Sequence, residues 1–107
     1  VFKGQEIELD VNKQTHIYRI IQELVQNIVT HSEANFATVE INNYPPMLSI
    51  IVEDNGKGFS ENKNLQGIGF NNIDSRIKIL NGSIEKVEIL KGSRFCIVID
   101  TEKVVQD

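Results

Sequence analysis

The sequence predicts an α+β domain, a two-layer α/β sandwich with helices on one face of a mixed sheet. Apolar residues alternate at Ala37, Val39 and Ile41, and again at Leu48, Ile50 and Val52, on either side of Asn43-Tyr44-Pro45-Pro46. Period two on both sides of a prolyl turn predicts an antiparallel hairpin. Elsewhere the spacing is helical: Ile17, Ile21, Leu24 and Ile28 form one stripe, and Phe70, Ile73, Ile77 and Leu80 a second. The order is strand, helix, two strands, loop, helix, two strands, and helices gathered on one sheet face bury both stripes.

Taken in order, Gln5 to Val11 alternates through Ile7, Leu9 and Val11 and reads as an edge strand. Asn12 or Thr15 supplies a cap for the helix that follows, from Lys13 to about His31, which contains no Pro or Gly. Asp54 stands just past the second hairpin strand. Gly56 to Gln66 carries Lys57, Glu61, Asn62, Lys63 and Asn64 with little to bury, so it reads as a mobile loop. The second helix stops at Asn81-Gly82, a common C-terminal signal. Ser83 to Leu90 and Ser93 to Asp100 read as strands joined at Lys91-Gly92, and the tail from Thr101 as loose.

A chain of 107 residues holds one core, so residues 1–107 read as a single domain. Its 40% hydrophobic and 24% charged content is that of an ordinary globular protein. The net charge of −4 argues against a nucleic-acid footprint, which shows as a basic stripe. No apolar run approaches the roughly 20 residues that span a bilayer. Val1-Phe2-Lys3-Gly4 has no signal-peptide pattern and reads as the interior of a longer protein. The single Cys96 lies in the run Phe95-Cys96-Ile97-Val98-Ile99 and reads as a small core residue; one cysteine forms no internal disulfide, which suits a reducing compartment.

Chemistry-bearing residues gather in short stretches. Glu23, Asn27 and His31 are spaced to line one side of the first helix, away from most of the apolar stripe. On their own they more readily describe a solvated helix face. As a site, Asn27 offers a neutral oxygen to Mg²⁺, which between substrate phosphates needs only one or two protein oxygens, and Glu23 offers a base. Asp54 follows a hydrophobic strand, so its carboxylate points between sheet and helices and requires a donor. The amino group of adenine is such a donor; guanine presents a carbonyl at that edge. Gly56 and Gly58 remove side chains where a base would pack. Asp-Asn-Gly alone is common turn chemistry. Gly67-Ile68-Gly69 opens the second helix, where backbone N–H groups attract phosphate.

In their order and spacing these stretches resemble the ATP-binding domain of bacterial sensor histidine kinases, in the group that includes DNA gyrase, the heat-shock ATPases and the mismatch-repair ATPases. Glu23-Leu24-Val25-Gln26-Asn27, Asp54-Asn55-Gly56-Lys57-Gly58-Phe59, Gly67-Ile68-Gly69-Phe70-Asn71-Asn72-Ile73-Asp74-Ser75-Arg76 and Gly92-Ser93-Arg94-Phe95 carry the resemblance, which extends from about Gln5 to Asp100. It implies the Bergerat-type fold, with ATP and Mg²⁺ as ligands. Asn27 becomes the metal ligand, Glu23 the general base, and His31 a neighbour of the phosphates. Asp54 reads adenine with Gly56 and Gly58, Ser93 lies close to Asp54, and Gly67, Ile68 and Gly69 cradle phosphate below a short lid, Lys57 to Gln66. Many relatives have Lys where this chain has Thr30, which shifts phosphate neutralisation toward Mg²⁺ and a basic residue such as Lys57 or Arg76.

The reaction implied is transfer of the γ-phosphoryl group to a histidine on a separate dimerising hairpin of the same protein, followed by a response regulator. The setting implied is the cytoplasmic portion of a membrane-anchored sensor. The isolated domain is expected to be a monomer that binds ATP, binds no nucleic acid and does not phosphorylate itself. A serine/threonine kinase of the anti-sigma-factor type shares the fold and differs in acceptor. A degenerate nucleotide-binding interaction module is a further alternative, favoured by Thr30 and opposed by Glu23, Asn27, Asp54, Gly67 and Gly69.

Overall fold

The computed structural model describes residues 1–56, 70–87 and 89–102, with the backbone alone at 31, 32, 70 and 71. β1 (Phe2–Gly4), α1 (Val11–Asn27), β2 (Ala37–Tyr44), β3 (Met47–Asp54), α2 (Phe70–Ile79), β4 (Gly82–Val87) and β5 (Ser93–Asp100) follow in that order. The strands form a five-stranded sheet in the order β1-β2-β3-β5-β4. β1 runs parallel to β2, and the other neighbours are antiparallel, so the sheet is mixed as expected.

The hairpin matches its pattern. Tyr44 pairs with Met47 and Ala37 with Asp54, across a two-residue connection whose Pro45-Pro46 bond is cis. On β3 every second residue, Leu48, Ile50, Val52 and Asp54, is buried, and β5 answers with Ser93, Phe95, Ile97 and Ile99. Ile17, Ile20, Leu24 and Ile28 from the first helical segment, and Ile73, Ile77 and Leu80 from the second, close the core over this face. Burying each such aliphatic side chain contributes about 1.5–3 kcal/mol relative to leaving it exposed. The opposite face is half-exposed, with Glu53 of β3 ion-paired to Arg94 of β5.

The chain's start differs from the expected edge strand at Gln5–Val11. The strand is Phe2–Gly4; Gly4, at φ +94, breaks it. Asn43 Nδ2 then donates to Gln5 O and Glu6 O at 3.0 and 3.2 Å, so a side chain satisfies these carbonyls in place of a ladder. Ile7 and Leu9 do pack on the core, which explains their alternation without a sheet partner. The helix cap is Asp10, not Asn12 or Thr15: Asp10 Oδ1 accepts from Lys13 N at 2.9 Å.

α1 is shorter than expected. It ends at Asn27, and Ile28–Ser32 forms a wider π-helical turn, with Glu33 left-handed at φ 57. The core stripe uses Ile20, fully buried, where the spacing suggested Ile21, which is only partly buried. After α2, Asn81 takes the left-handed position at φ 57 and Gly82 already begins β4, which ends at Val87 and not at Leu90. Cys96 lies on the half-exposed sheet face and is intermediate in exposure, so it is not the core residue expected. Among the described residues no helix is long and apolar enough to cross a membrane.

Candidate functional site

Two positions break the apolar rows of the central strands. Asp54 ends the row on β3 and Ser93 begins the row on β5; they are register partners, each 1% exposed. A carboxylate and a hydroxyl where the pattern calls for aliphatic side chains is a local conflict of the kind found at functional sites. Asp54 is thus the last residue of the strand and not just beyond it. Its Oδ1 accepts from Gly56 N at 2.7 Å. Its Oδ2, and Ser93 Oγ beside it in register, are buried with no hydrogen-bond partner among the described residues. Leaving such groups unpaired costs about 1–3 kcal/mol each, more for a charge. A ligand that donates to both offsets that cost.

The turn into β5 is fitted against this carboxylate's backbone. Gly92 has φ +96, and a Cβ there would lie 1.9 Å from Asp54 O. Only glycine takes that conformation at that separation.

On α1, Asn27 is 9% exposed and shares the buried face with Ile17, Ile20 and Leu24. The side expected to lie apart from the stripe is therefore its flank: at about 100° per residue, Asn27 projects only about 20° from Ile20. Glu23, one turn earlier, is half-buried, and its Oε2 is buried without a partner among the described residues. His31 falls in the π-helical turn, so the regular four-residue spacing from Glu23 stops at Asn27; its side chain lies outside the described residues. Thr30 is exposed, and its Oγ1 accepts from Gln26 Nε2 at 3.1 Å.

Gly58, Gly67, Ile68, Gly69 and the lid from Lys57 to Gln66 lie outside the described residues; Gly56, just before the lid, is buried. The helix following Gly69 begins at Phe70 as expected. Arg76 Nη1 lies 3.1 Å from His16 Nδ1. A guanidinium only donates, so His16 Nδ1 accepts. This fixes Arg76 to the N-terminal half of α1, about 16 Å along the helix axis from Asn27.

Spacing did not reveal a further connection. Asn55 Oδ1 accepts from Asn35 N and Phe36 N at 2.9 and 3.1 Å, and Asn55 N donates to Phe36 O at 3.4 Å. The segment leaving the π-helical turn is thereby tied to the residue after Asp54. The only signal in the sequence is Asn in the x position of Asp-x-Gly. Among the described residues no group of three or more His, Cys, Asp or Glu is placed to hold a metal ion.

Residues 12–103 match the family described as histidine kinase-, DNA gyrase B-, and HSP90-like ATPase. The chain is 32% identical over 97 residues to the sensor histidine kinase ComP of Bacillus subtilis, across 88% of this chain and 12% of that protein. It is 36% identical over 77 residues to the sensor protein VraS of Staphylococcus epidermidis, across 71% of this chain and 22% of that protein. It therefore spans less than a quarter of the length of either relative. Among solved structures it resembles the histidine kinase domain of a blue-light activated histidine kinase from Erythrobacter litoralis, with TM-score 0.77 and 17% identity, over 94% of this chain and 53% of that one. The histidine kinase AdeS of Acinetobacter baumannii is similar with TM-score 0.73 and 21% identity, over 84% and 48% of the two chains. At those identities the likeness concerns the fold.

Proposed function

The chain belongs to the histidine kinase-, DNA gyrase B-, and HSP90-like ATPase family, and from that premise we propose that it binds ATP with Mg²⁺ and donates the γ-phosphoryl group to a histidine. The acceptor lies on a separate dimerisation domain of the same protein, and a response regulator receives the signal. The observation that carries the nucleotide reading is the buried pair Asp54 Oδ2 and Ser93 Oγ, on register partners and without hydrogen-bond partners among the described residues.

In this mechanism Asp54 accepts from the adenine amino group, and Ser93 shares that contact directly or through water. Gly56 and Gly58 leave room for the base. Gly67, Ile68 and Gly69, which precede α2 in the sequence, would offer backbone N–H groups to the phosphates. Asn27 would offer its side-chain oxygen to the metal, and His31 is assigned to the phosphates on sequence position alone. Mg²⁺, when bound, would neutralise phosphate charge. Glu23 accepts a proton from, or orients, the incoming imidazole, whose nitrogen attacks the γ-phosphorus as the bond to the departing ADP oxygen breaks. Its Oε2, buried and without a partner among the described residues, is suited to that donor. The setting is the cytoplasmic part of a membrane-anchored sensor. The isolated domain is a monomer, binds no nucleic acid and does not phosphorylate itself.

The test is calorimetric titration of this chain with a non-hydrolysable ATP analogue and Mg²⁺, for wild type and Asp54→Asn. Loss of one charge-assisted hydrogen bond weakens binding by about 10- to 150-fold. Absence of binding in folded wild type refutes the reading and leaves the degenerate interaction module.

A further inference from the structure

Resting on the nucleotide reading above, we propose that Asn55 is a positioning residue that holds the metal end of the site at a fixed distance from the adenine end. Three chain segments converge on it. Its side-chain oxygen accepts from the backbone N–H groups of Asn35 and Phe36 at 2.9 and 3.1 Å. Its own backbone follows Asp54 directly, and a Cβ on Gly92 would approach its Cα to 3.0 Å. Both lone pairs of one amide oxygen are thus spent on the segment that leaves α1.

That segment has little burial of its own at this point. Phe36 is 58% exposed, and Asn35 is also exposed. Asn27 lies eight residues before Asn35, on the other side of the π-helical turn. A nucleotide whose base meets Asp54 and whose metal meets Asn27 must bridge two elements, β3 and α1. Ala37 of β2 already pairs with Asp54, and the Asn55 fork carries that link two residues further back, to Asn35 and Phe36, toward the π-helical turn that follows α1. Holding that separation before ligand arrives lowers the ordering cost of binding. Asn55 touches neither base nor metal in this scheme and acts through the backbone.

The experiment measures affinity for a non-hydrolysable ATP analogue with Mg²⁺ and with a chelator, by calorimetry, in wild type, Asn55→Ala and Asn55→Asp. The ratio of the two affinities reads the metal-linked gain. In Asn55→Ala the ratio falls by about tenfold, the equivalent of two modest hydrogen bonds, while affinity in chelator changes by less than about twofold. Asn55→Asp keeps the acceptor and restores the ratio. An unchanged ratio in Asn55→Ala, equal losses with and without metal, or no rescue by Asn55→Asp overturns the proposal. If Asn55→Ala does not fold, amide exchange in wild type decides. Asn35 and Phe36 gain protection with analogue plus Mg²⁺ beyond that with analogue in chelator; equal protection overturns the proposal. Wild type that binds in neither condition refutes the nucleotide reading itself, a result distinct from all of these.

Discussion

Replacing Gly92 by alanine tests whether the turn into β5 sets the position of Asp54. The new Cβ would lie 1.9 Å from Asp54 O and 2.7 Å from Asp54 C. Restoring ordinary contact moves the two backbones apart by about 1.5 Å. Left-handed backbone costs a non-glycine residue about 1–2 kcal/mol, and the displaced strand end adds about 1–3 kcal/mol. Gly4 supplies a matched control. Its φ is +94, and its Cβ would lie 2.2 Å from Asn43 O. Asn43 pairs with Leu48, about 20 Å along β3 from Asp54 at the usual rise per residue. Urea unfolding of Gly92→Ala and Gly4→Ala should therefore give similar losses, about 2–5 kcal/mol. Calorimetry on the folded proteins should separate them. Gly92→Ala binds the ATP analogue at least about tenfold more weakly, because an ångström of misplacement is enough to spoil a directional contact. Gly4→Ala stays within about twofold of wild type by the same reasoning. Near-normal binding by Gly92→Ala, or equal losses in both variants, would refute the idea that this turn positions the carboxylate.

Ser93→Ala removes a buried hydroxyl that has no partner among the described residues. Thermal unfolding without ligand should be unchanged or raised, while analogue affinity falls several-fold, by about 0.5–1.5 kcal/mol; a large loss of stability in the free protein would contradict this. Asp10→Ala removes the cap on Lys13 N and should cost about 1 kcal/mol in urea unfolding, whereas Asn12→Ala and Thr15→Ala should cost less. Glu40 accepts from Asn42 Nδ2 at 3.0 Å and lies 3.8 Å from Lys3 Nζ, and these two effects hold its carboxyl below the ordinary value of 4.5. A lowered folded pKa means stability present above 4.5 and lost as pH falls through the lowered midpoint. Carboxyl NMR should show that midpoint, and Glu40→Gln should remove this contribution from the acid limb; a midpoint at or above 4.5 contradicts it.

The hairpin and the last strand were legible because both carry one apolar face and one half-exposed face, so period two is explicit at Leu48, Ile50 and Val52 and at Phe95, Ile97 and Ile99. Asp54 was legible for the same reason, since it falls in phase with that row. The first strand differs from its pattern because Ile7 and Leu9 turn inward from a segment outside the sheet, just after Gln5 O and Glu6 O accept from the Asn43 side chain. Periodicity reports which side chains turn inward, not what the backbone pairs with. Ile20 and Ile21 are both apolar, so the wheel left the centre of the stripe open until α2 and the sheet fixed it. The π-helical turn has no compositional mark in Ile28-Val29-Thr30-His31-Ser32. The Asn55 fork joins positions 19 and 20 residues apart, beyond any local pattern.

The place of β5 between β3 and β4 also sets how the molecule assembles in time. Asp54 joins a residue 39 positions later and Met47 one 53 positions later, so the centre of the sheet closes only when the end of the chain arrives. Among the described residues, β4 has no sheet neighbour other than β5. The β4–β5 pairing is local in sequence, whereas the β3–β5 pairing is long-range, the kind of contact that slows folding. Until the long-range pairing forms, Asp54 and Ser93 are apart, and the apolar row of β3 lacks its partner strand. A nucleotide that needs both residues has nothing to grip in the early chain. Bound nucleotide should leave the refolding rate alone and slow only unfolding, which places the ligand's effect after the rate-limiting step.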